Sequence, residues 1–171
     1  MIHIYYGNGK GKTTAAVGLT VRANGAGMKT AFFQFLKNGS SSEIGILDKM
    51  PDNTVICCRE CTKFTFEMNG SEKQLIRKVQ TDMLKKAADL VSSGNADLVV
   101  LDEFLDAYSK ELTDTDNAYD IIKAMSDKAE IVLTGRAPTE AMLAIADYVT
   151  EMKSVRHPYE KGITARKGIE Y

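Results

Sequence analysis

Apolar residues in this chain gather into short runs, separated by stretches in which they recur every three or four positions. The runs Ile2 to Tyr6, Lys29 to Leu36, Thr54 to Cys58, Asp97 to Glu103, Glu130 to Thr134 and Tyr148 to Met152 read as strands. They are near-continuous rather than alternating, as in strands covered on both faces. Between them lie helical spacings. Thr14 to Ala26 forms one, with Gly25 and Gly27 suited to ending it. Ser71 with Gln74 makes a capping box for a helix that carries Leu75, Ile76, Val79, Met83, Leu84, Ala87 and Leu90 to about Val91. A third follows Thr113 to Asp116 and runs to about Asp127 with Ala118, Ile121, Ile122 and Met125 inward, and Thr139 caps a fourth with Met142, Leu143 and Ile145. Strands alternating with helices predict a mostly parallel sheet with helices on both faces, an α/β fold.

The connecting segments add less. Asn38 to Ser42 is a polar loop too short for a domain linker, and Lys153 to Tyr171 is a polar tail without periodicity. Phe64-Thr65-Phe66 reads as an extended segment whose two rings face the same way, because side chains alternate along a strand. Phe32, Phe33 and Phe35 are expected in the core, with Gln34 and Lys37 near the strand end where α/β sheets place ligands.

With 171 residues, 44% of them hydrophobic, the chain supports one core, and a single domain over residues 1–171 is expected. A net charge of -1 removes the usual footprint of a nucleic-acid binder and favours small anionic ligands. No apolar stretch approaches the length of a membrane span, and the first strand begins without a charged leader, so a cytoplasmic location is expected. Cys57, Cys58 and Cys61 lie together, and Cys58 and Cys61 form a Cys-x-x-Cys pair. A second ligand pair is missing, with only His3 and His157 elsewhere, and reduced thiols beside a buried strand are the expectation.

Between the first strand and the first helix stands Gly7-Asn8-Gly9-Lys10-Gly11-Lys12-Thr13-Thr14. Glycines allow a tight turn in which successive N–H groups face one anion, and the helix behind adds the positive end of its dipole. Lys12 supplies a mobile charge and Thr13 a hydroxyl for Mg²⁺. Against the pattern Gly, four residues, Gly-Lys-Ser/Thr, the first glycine position is taken by Tyr6, and an extra lysine, Lys10, lies within the loop. Asp102 and Glu103 end an apolar strand, which is where a phosphate-binding loop needs carboxylates opposite Thr13 to hold Mg²⁺.

Together with Gln34-Phe35-Leu36-Lys37, Leu101-Asp102-Glu103, Thr134-Gly135-Arg136, Ala146-Asp147, Thr150-Glu151-Met152 and Gly168-Ile169-Glu170-Tyr171, this loop closely resembles the P-loop ATP:corrinoid adenosyltransferase family over nearly the whole chain. The resemblance implies a P-loop NTPase-like (RecA-like) fold. It also implies transfer of the 5′-deoxyadenosyl group of ATP to a reduced cob(I) corrinoid with release of triphosphate. Asn8, Gly9, Lys10, Gly11, Lys12, Thr13 and Thr14 would cradle the triphosphate, with Lys10 and Lys12 stabilising its growing charge and Thr13, Glu103 and Asp102 holding Mg²⁺. Phe64 and Phe66 match an aromatic pair placed against the corrinoid, where the rings would crowd out a lower axial ligand. A separate electron donor such as a reduced flavin or flavodoxin, and a homodimer, are implied as well. Many relatives carry a helical extension before the first strand, where this chain starts at Met1, so a lid or dimer contact is the expected difference. Two further readings stay open at this point: a P-loop ATPase switch in which Glu103 orients water, and a corrinoid carrier that uses ATP to gate release.

Overall fold

The computed structural model describes residues 1–171. Its elements, in chain order, are β1 (Ile2–Tyr6), α1 (Lys12–Gly25), β2 (Thr30–Gln34), α2 (Ile44–Leu47), β3 (Asn53–Cys57), α3 (Gly70–Ser92), β4 (Leu98–Asp102), α4 (Phe104–Ser109), α5 (Ala118–Ser126), β5 (Glu130–Gly135), α6 (Glu140–Ala144) and β6 (Tyr148–Glu151), followed by a 3-10 turn over Pro158–Lys161. The strands form one sheet in the order β3-β2-β4-β5-β1-β6, and every neighbouring pair is parallel. Parallel neighbours require a crossover, so the chain must pass over one face of the sheet or the other between strands.

Both faces are accordingly apolar. On one, Phe33, Val99, Leu101, Ile131 and Leu133 pack with Ile76 and Leu84 of α3, Phe104 of α4, Ile122 of α5 and Met142 of α6. On the other, Phe32, Val100 and Val132 meet Ala16 and Ala23 of α1 and Ile44 and Leu47 of α2. Every residue of β2 and β4 is buried, which explains why these two strands read as unbroken apolar runs. Phe32, Phe33 and Phe35 are fully buried, as expected, and the Phe35 and Phe104 rings meet edge to face with centroids 5.3 Å apart.

Local differences from the sequence reading have identifiable causes. Helix α1 starts at Lys12 rather than Thr14, because Gly11, at φ 119°, already makes the turn into it. The strand expected over Lys29 to Leu36 stops at Gln34, since Leu36 adopts a left-handed φ of 53°. The capping box of α3 is made by Asn69 and Glu72, not Ser71 and Gln74: each side chain accepts the other's backbone N–H at 2.9 Å, and the Ser71 hydroxyl donates to Asn69 Oδ1 at 2.8 Å. Phe64-Thr65-Phe66 is a turn and not an extended segment, closed by Glu67 N–H donating to the Phe64 carbonyl at 2.9 Å. The short helices α2 and α4 were absent from the sequence reading.

The capping assignment is directly testable. Asn69→Ala is expected to lower stability by about 1 kcal/mol, the usual worth of such a cap, and Ser71→Ala by clearly less. Urea denaturation of both variants checks this, and the reverse order would return the helix start to Ser71.

Candidate nucleotide-binding site

All six strands point their carboxyl ends to the same rim, and the loop Gly7 to Gly11 leaves β1 there. The loop is held from outside by the chain leaving β6. Gly9 N–H donates to the Met152 carbonyl at 2.7 Å, Met152 N–H to the Tyr6 carbonyl at 2.7 Å, and Gly7 N–H to the Arg136 carbonyl at 3.2 Å. A Cβ on Gly7 or Gly9 would lie 2.6 Å from the Met152 oxygen, closer than atoms can approach, and Gly7 also has a left-handed φ of 112°. The departure at Tyr6 thereby has its explanation. Tyr6 is still a strand residue, in register with Gly135 and Glu151, and the position that demands glycine falls one residue later.

Behind the loop the first-turn N–H groups of α1 lack intrahelical acceptors and carry the positive end of the helix dipole. Lys12 Nζ folds back to donate to the Gly9 carbonyl at 2.8 Å. Burial pushes the Lys12 pKa down, with Arg136 adding to the effect and Glu103, Asp106 and Asp102 opposing it. Lys10 does not share this position: its half-exposed ammonium pairs with Glu170 at 3.3 Å.

The carboxylate facing α1 is Asp102, the last residue of β4 and fully buried. Its Oδ1 accepts from the Thr13 hydroxyl at 2.8 Å and from the Thr134 hydroxyl at 2.7 Å. Thr134 in turn accepts the Glu103 N–H at 2.9 Å. Glu103 sits at φ 62° and Leu36 at φ 53°, so the chain leaves both β4 and β2 through a left-handed residue. Such conformations cost energy in non-glycine residues and persist where surrounding bonds impose them. The result is that Lys37 Nζ stands 3.5 Å from Asp102 Oδ2 and 3.4 Å from Glu103 Oε1. Burial opposes the Lys37 charge, but attraction to Asp102, Glu103 and Glu43 outweighs it and raises its pKa. Burial likewise raises the pKa of Glu103, which Lys37 counteracts.

In front of Thr13 and Thr14 opens a cavity of about 360 Å³, walled on the far side by Lys37, Glu43 and the stretch Gly168 to Tyr171. The tail closes over it through the Lys10–Glu170 pair and a bond from the Ser42 hydroxyl to the Tyr171 carbonyl at 3.1 Å. Arg166 holds the Glu170 carboxyl down to about 2. Sequence reasoning used Gly168 to Tyr171 only as part of the family resemblance and gave the tail no place in the site, its polarity and lack of period saying nothing of a wall. It also missed Asp106, whose Oδ2 accepts the Arg136 N–H at 2.9 Å and so fixes the loop after β5.

The structure therefore gathers Lys12, Thr13, Asp102 and Glu103, while Phe64 and Phe66 lie apart, on the loop after β3, which β2, β4 and β5 separate from β1. They are not core residues: they are 71% and 81% exposed, stacked on one another with centroids 5.5 Å apart and planes 6° from parallel.

A glycine loop braced between the first strand and a helix, facing a buried aspartate across one intervening strand, makes this a P-loop NTPase-like protein with a RecA-like sheet. The fold agrees with that of the flagellar accessory protein FlaH from Methanocaldococcus jannaschii, at a TM-score of 0.55 and 12% identity over 88% of this chain and 69% of that one. Sequence narrows the class. Residues 1–171 match the family described as ATP:corrinoid adenosyltransferase BtuR/CobO/CobP, and the chain belongs to it. A corrinoid adenosyltransferase of Pseudomonas aeruginosa is 33% identical over 98% of this chain and 82% of its own length, and one of Escherichia coli K12 is 27% identical over 100% and 85%.

Thr134 connects β5 to both acidic residues. Thr134→Val should leave Asp102 with one donor fewer and the Glu103 N–H unpaired, costing about 1–3 kcal/mol of stability. Thr134→Ser should recover most of it. Chemical denaturation of the two variants checks this, and equal stability of Val and wild type would show that Thr13, Gln34 and Lys37 hold Asp102 without Thr134.

Proposed function

We propose that this chain transfers the 5′-deoxyadenosyl group of ATP to the cobalt of a cob(I) corrinoid and releases triphosphate. The observation that carries the reading is the family match along residues 1–171, whose phosphate-binding loop is complete here apart from the displaced glycine. In this reaction a cobalt–carbon bond forms at C5′ as the C5′–oxygen bond breaks, and the electron pair leaves with the triphosphate. The corrinoid's cobalt is the nucleophile, so the protein's tasks are placement and charge. Holding C5′ in line with the metal removes much of the entropic barrier, and donors aimed at the leaving oxygens act where charge grows.

Lys12 is the donor closest to hand. Its ammonium, held at the Gly9 carbonyl, is released to phosphate oxygens when they fill the loop. The first-turn amides of α1 do the same work from the backbone. Lys10 joins them by leaving Glu170, an exposed pair worth little by itself. Thr13, Asp102 and Glu103 offer hydroxyl and carboxylate oxygens, the hard donors Mg²⁺ prefers, and the drawing of Lys37 toward the two carboxylates marks the same spot as attractive to a cation. Bound there, Mg²⁺ would neutralise phosphate charge. The exposed stack of Phe64 and Phe66 offers an apolar ring face to a corrin, where it would exclude a lower axial ligand from cobalt. The electron that produces cob(I) comes from a separate donor such as a reduced flavin or flavodoxin.

The test is incubation with ATP, Mg²⁺ and chemically reduced corrinoid. A light-sensitive alkylcobalt spectrum and stoichiometric triphosphate are expected, whereas ADP and phosphate formed without corrinoid would replace this reading with an ATPase switch. Lys12→Ala should cost roughly a hundredfold or more in rate at saturating ATP; a near-native rate would remove the leaving-group role.

Phe66→Ala separates reduction from transfer. With cob(II) and a weak reductant a large loss is expected, and with preformed cob(I) a small one. Because Phe66 is exposed, the melting temperature should not change. Equal losses in both assays would sink the corrinoid-facing role.

A further inference from the structure

Cys58 and Cys61 follow β3 and face inward against α3. Cys58 is fully buried and Cys61 is 6% exposed. The Cys61 thiol donates to Cys58 Sγ with the sulfurs 2.9 Å apart. Gln80 of α3, itself fully buried, directs its Nε2 to both, at 3.5 Å from Cys61 Sγ and 3.8 Å from Cys58 Sγ, while its Oε1 has no partner. The backbone fixes the pair as firmly as the side chains do: Cys58 N–H donates to the Gln34 carbonyl at 3.1 Å and Cys61 N–H to the Cys58 carbonyl at 2.9 Å.

We propose that Cys58 and Cys61 are a reversible dithiol–disulfide couple that clamps the root of the loop carrying Phe64 and Phe66. A covalent bond needs the sulfurs to move only about 0.9 Å closer, to the usual 2.05 Å. A shared zinc ion is the other use of such a pair, and the geometry disfavours it. Two sulfurs on one tetrahedral Zn²⁺ stand about 3.7 Å apart, so they would have to separate. Donation from Cys61 holds the Cys58 thiol below its ordinary pKa, and the same bond, together with burial, keeps the proton on Cys61. A small peroxide suffices as oxidant. The Cys58 thiolate attacks its O–O bond to give a sulfenic acid and hydroxide, then the Cys61 sulfur displaces water from Cys58. In sum, two thiols and one hydrogen peroxide give one disulfide and two waters.

Cys57 serves as the internal control. It is adjacent in sequence but points to the opposite side of the sheet, packing with the α1 and α2 cluster, while Cys58 and Cys61 belong to the α3 cluster. Burial also raises its pKa. From Cys61 the chain rises through Lys63, which pairs with Glu72 at 2.6 Å, to the aromatic tip and returns at the buried Met68. The loop is thus anchored at Cys58–Cys61 on one side and at the α3 cap on the other. The effect of the clamp on corrinoid binding rests on the function proposed above; the thiol chemistry does not.

The experiment needs neither ATP nor corrinoid. Full-length protein is treated with graded hydrogen peroxide, quenched by alkylation under denaturing conditions and digested for mass spectrometry. A Cys58–Cys61 linked peptide that dithiothreitol reverses is expected, with Cys57 still alkylated, and Cys57→Ala should behave identically. Hydrogen exchange should slow at Cys61 and Thr62 in the oxidised form. Cys58 and Cys61 remaining free at peroxide levels that oxidise Cys57, or a disulfide that includes Cys57, would overturn the couple. Unchanged exchange after the bond has formed would overturn the clamp.

Discussion

The site turns on a single buried negative charge. Asp102 has no contact with solvent, and an unpaired carboxylate in that position would cost several kcal/mol. It is satisfied by four side chains: Thr13 of α1, Thr134 of β5, Gln34 at the end of β2, whose Nε2 lies 3.5 Å from Oδ2, and Lys37 beyond it. These partners come from three separate segments of the chain, so pairing this one group aligns the helix after the phosphate loop, the intervening strand and the neighbouring strand end. The left-handed residues Leu36 and Glu103 follow from the same demand, because they turn the chain so that Lys37 and Glu103 meet across the rim.

Hydrogen-bonded partners of this kind also decide how the site responds to ligand. Lys12 and Lys10 are each held by a substitute acceptor, a carbonyl in one case and a carboxylate in the other. A substitute near at hand keeps a charged side chain ordered and lowers the rotamer entropy lost when phosphate replaces it. The exposed Glu170 pair is screened by water and Lys10 gives it up at little cost, whereas Lys12 exchanges a part-buried neutral acceptor for a charged one.

Much of this was legible in the residue pattern, for reasons that are local. The run Ile2 to Tyr6, the glycine loop and α1 are contiguous, and the strand ending in Asp102, with Glu103 next in the chain, is marked by its apolar continuity. What escaped depends on tertiary contacts. Helix α4 has six residues, of which Phe104, Leu105, Asp106 and Ala107 are all buried, so it has no polar face and no period to detect. Asn69 and Ser71 each stand three residues before an acidic or amide side chain, and only the extended backbone at Asn69 selects the true cap. Two phenylalanines one residue apart imitate a strand; their common orientation was anticipated correctly, but a turn produces it by stacking the rings. The tail became a cavity wall through Lys10 and Ser42, partners more than a hundred positions away.

The buttressing of the loop by Met152 and Lys153 limits its portability. Gly7 and Gly9 spend their amides on carbonyls of other segments, and both lack a side chain because the chain leaving β6 passes against them. An eight-residue cassette copied into another strand–helix junction would carry the glycines without the wall they lean on. It would then have to find its own shape each time an anion arrived. A transplant that keeps the binding property has to take β5 and β6 along with β1, because Gly7 leans on Arg136 and Gly9 on Met152, which makes the smallest exchangeable unit three neighbouring strands rather than the motif that announces it.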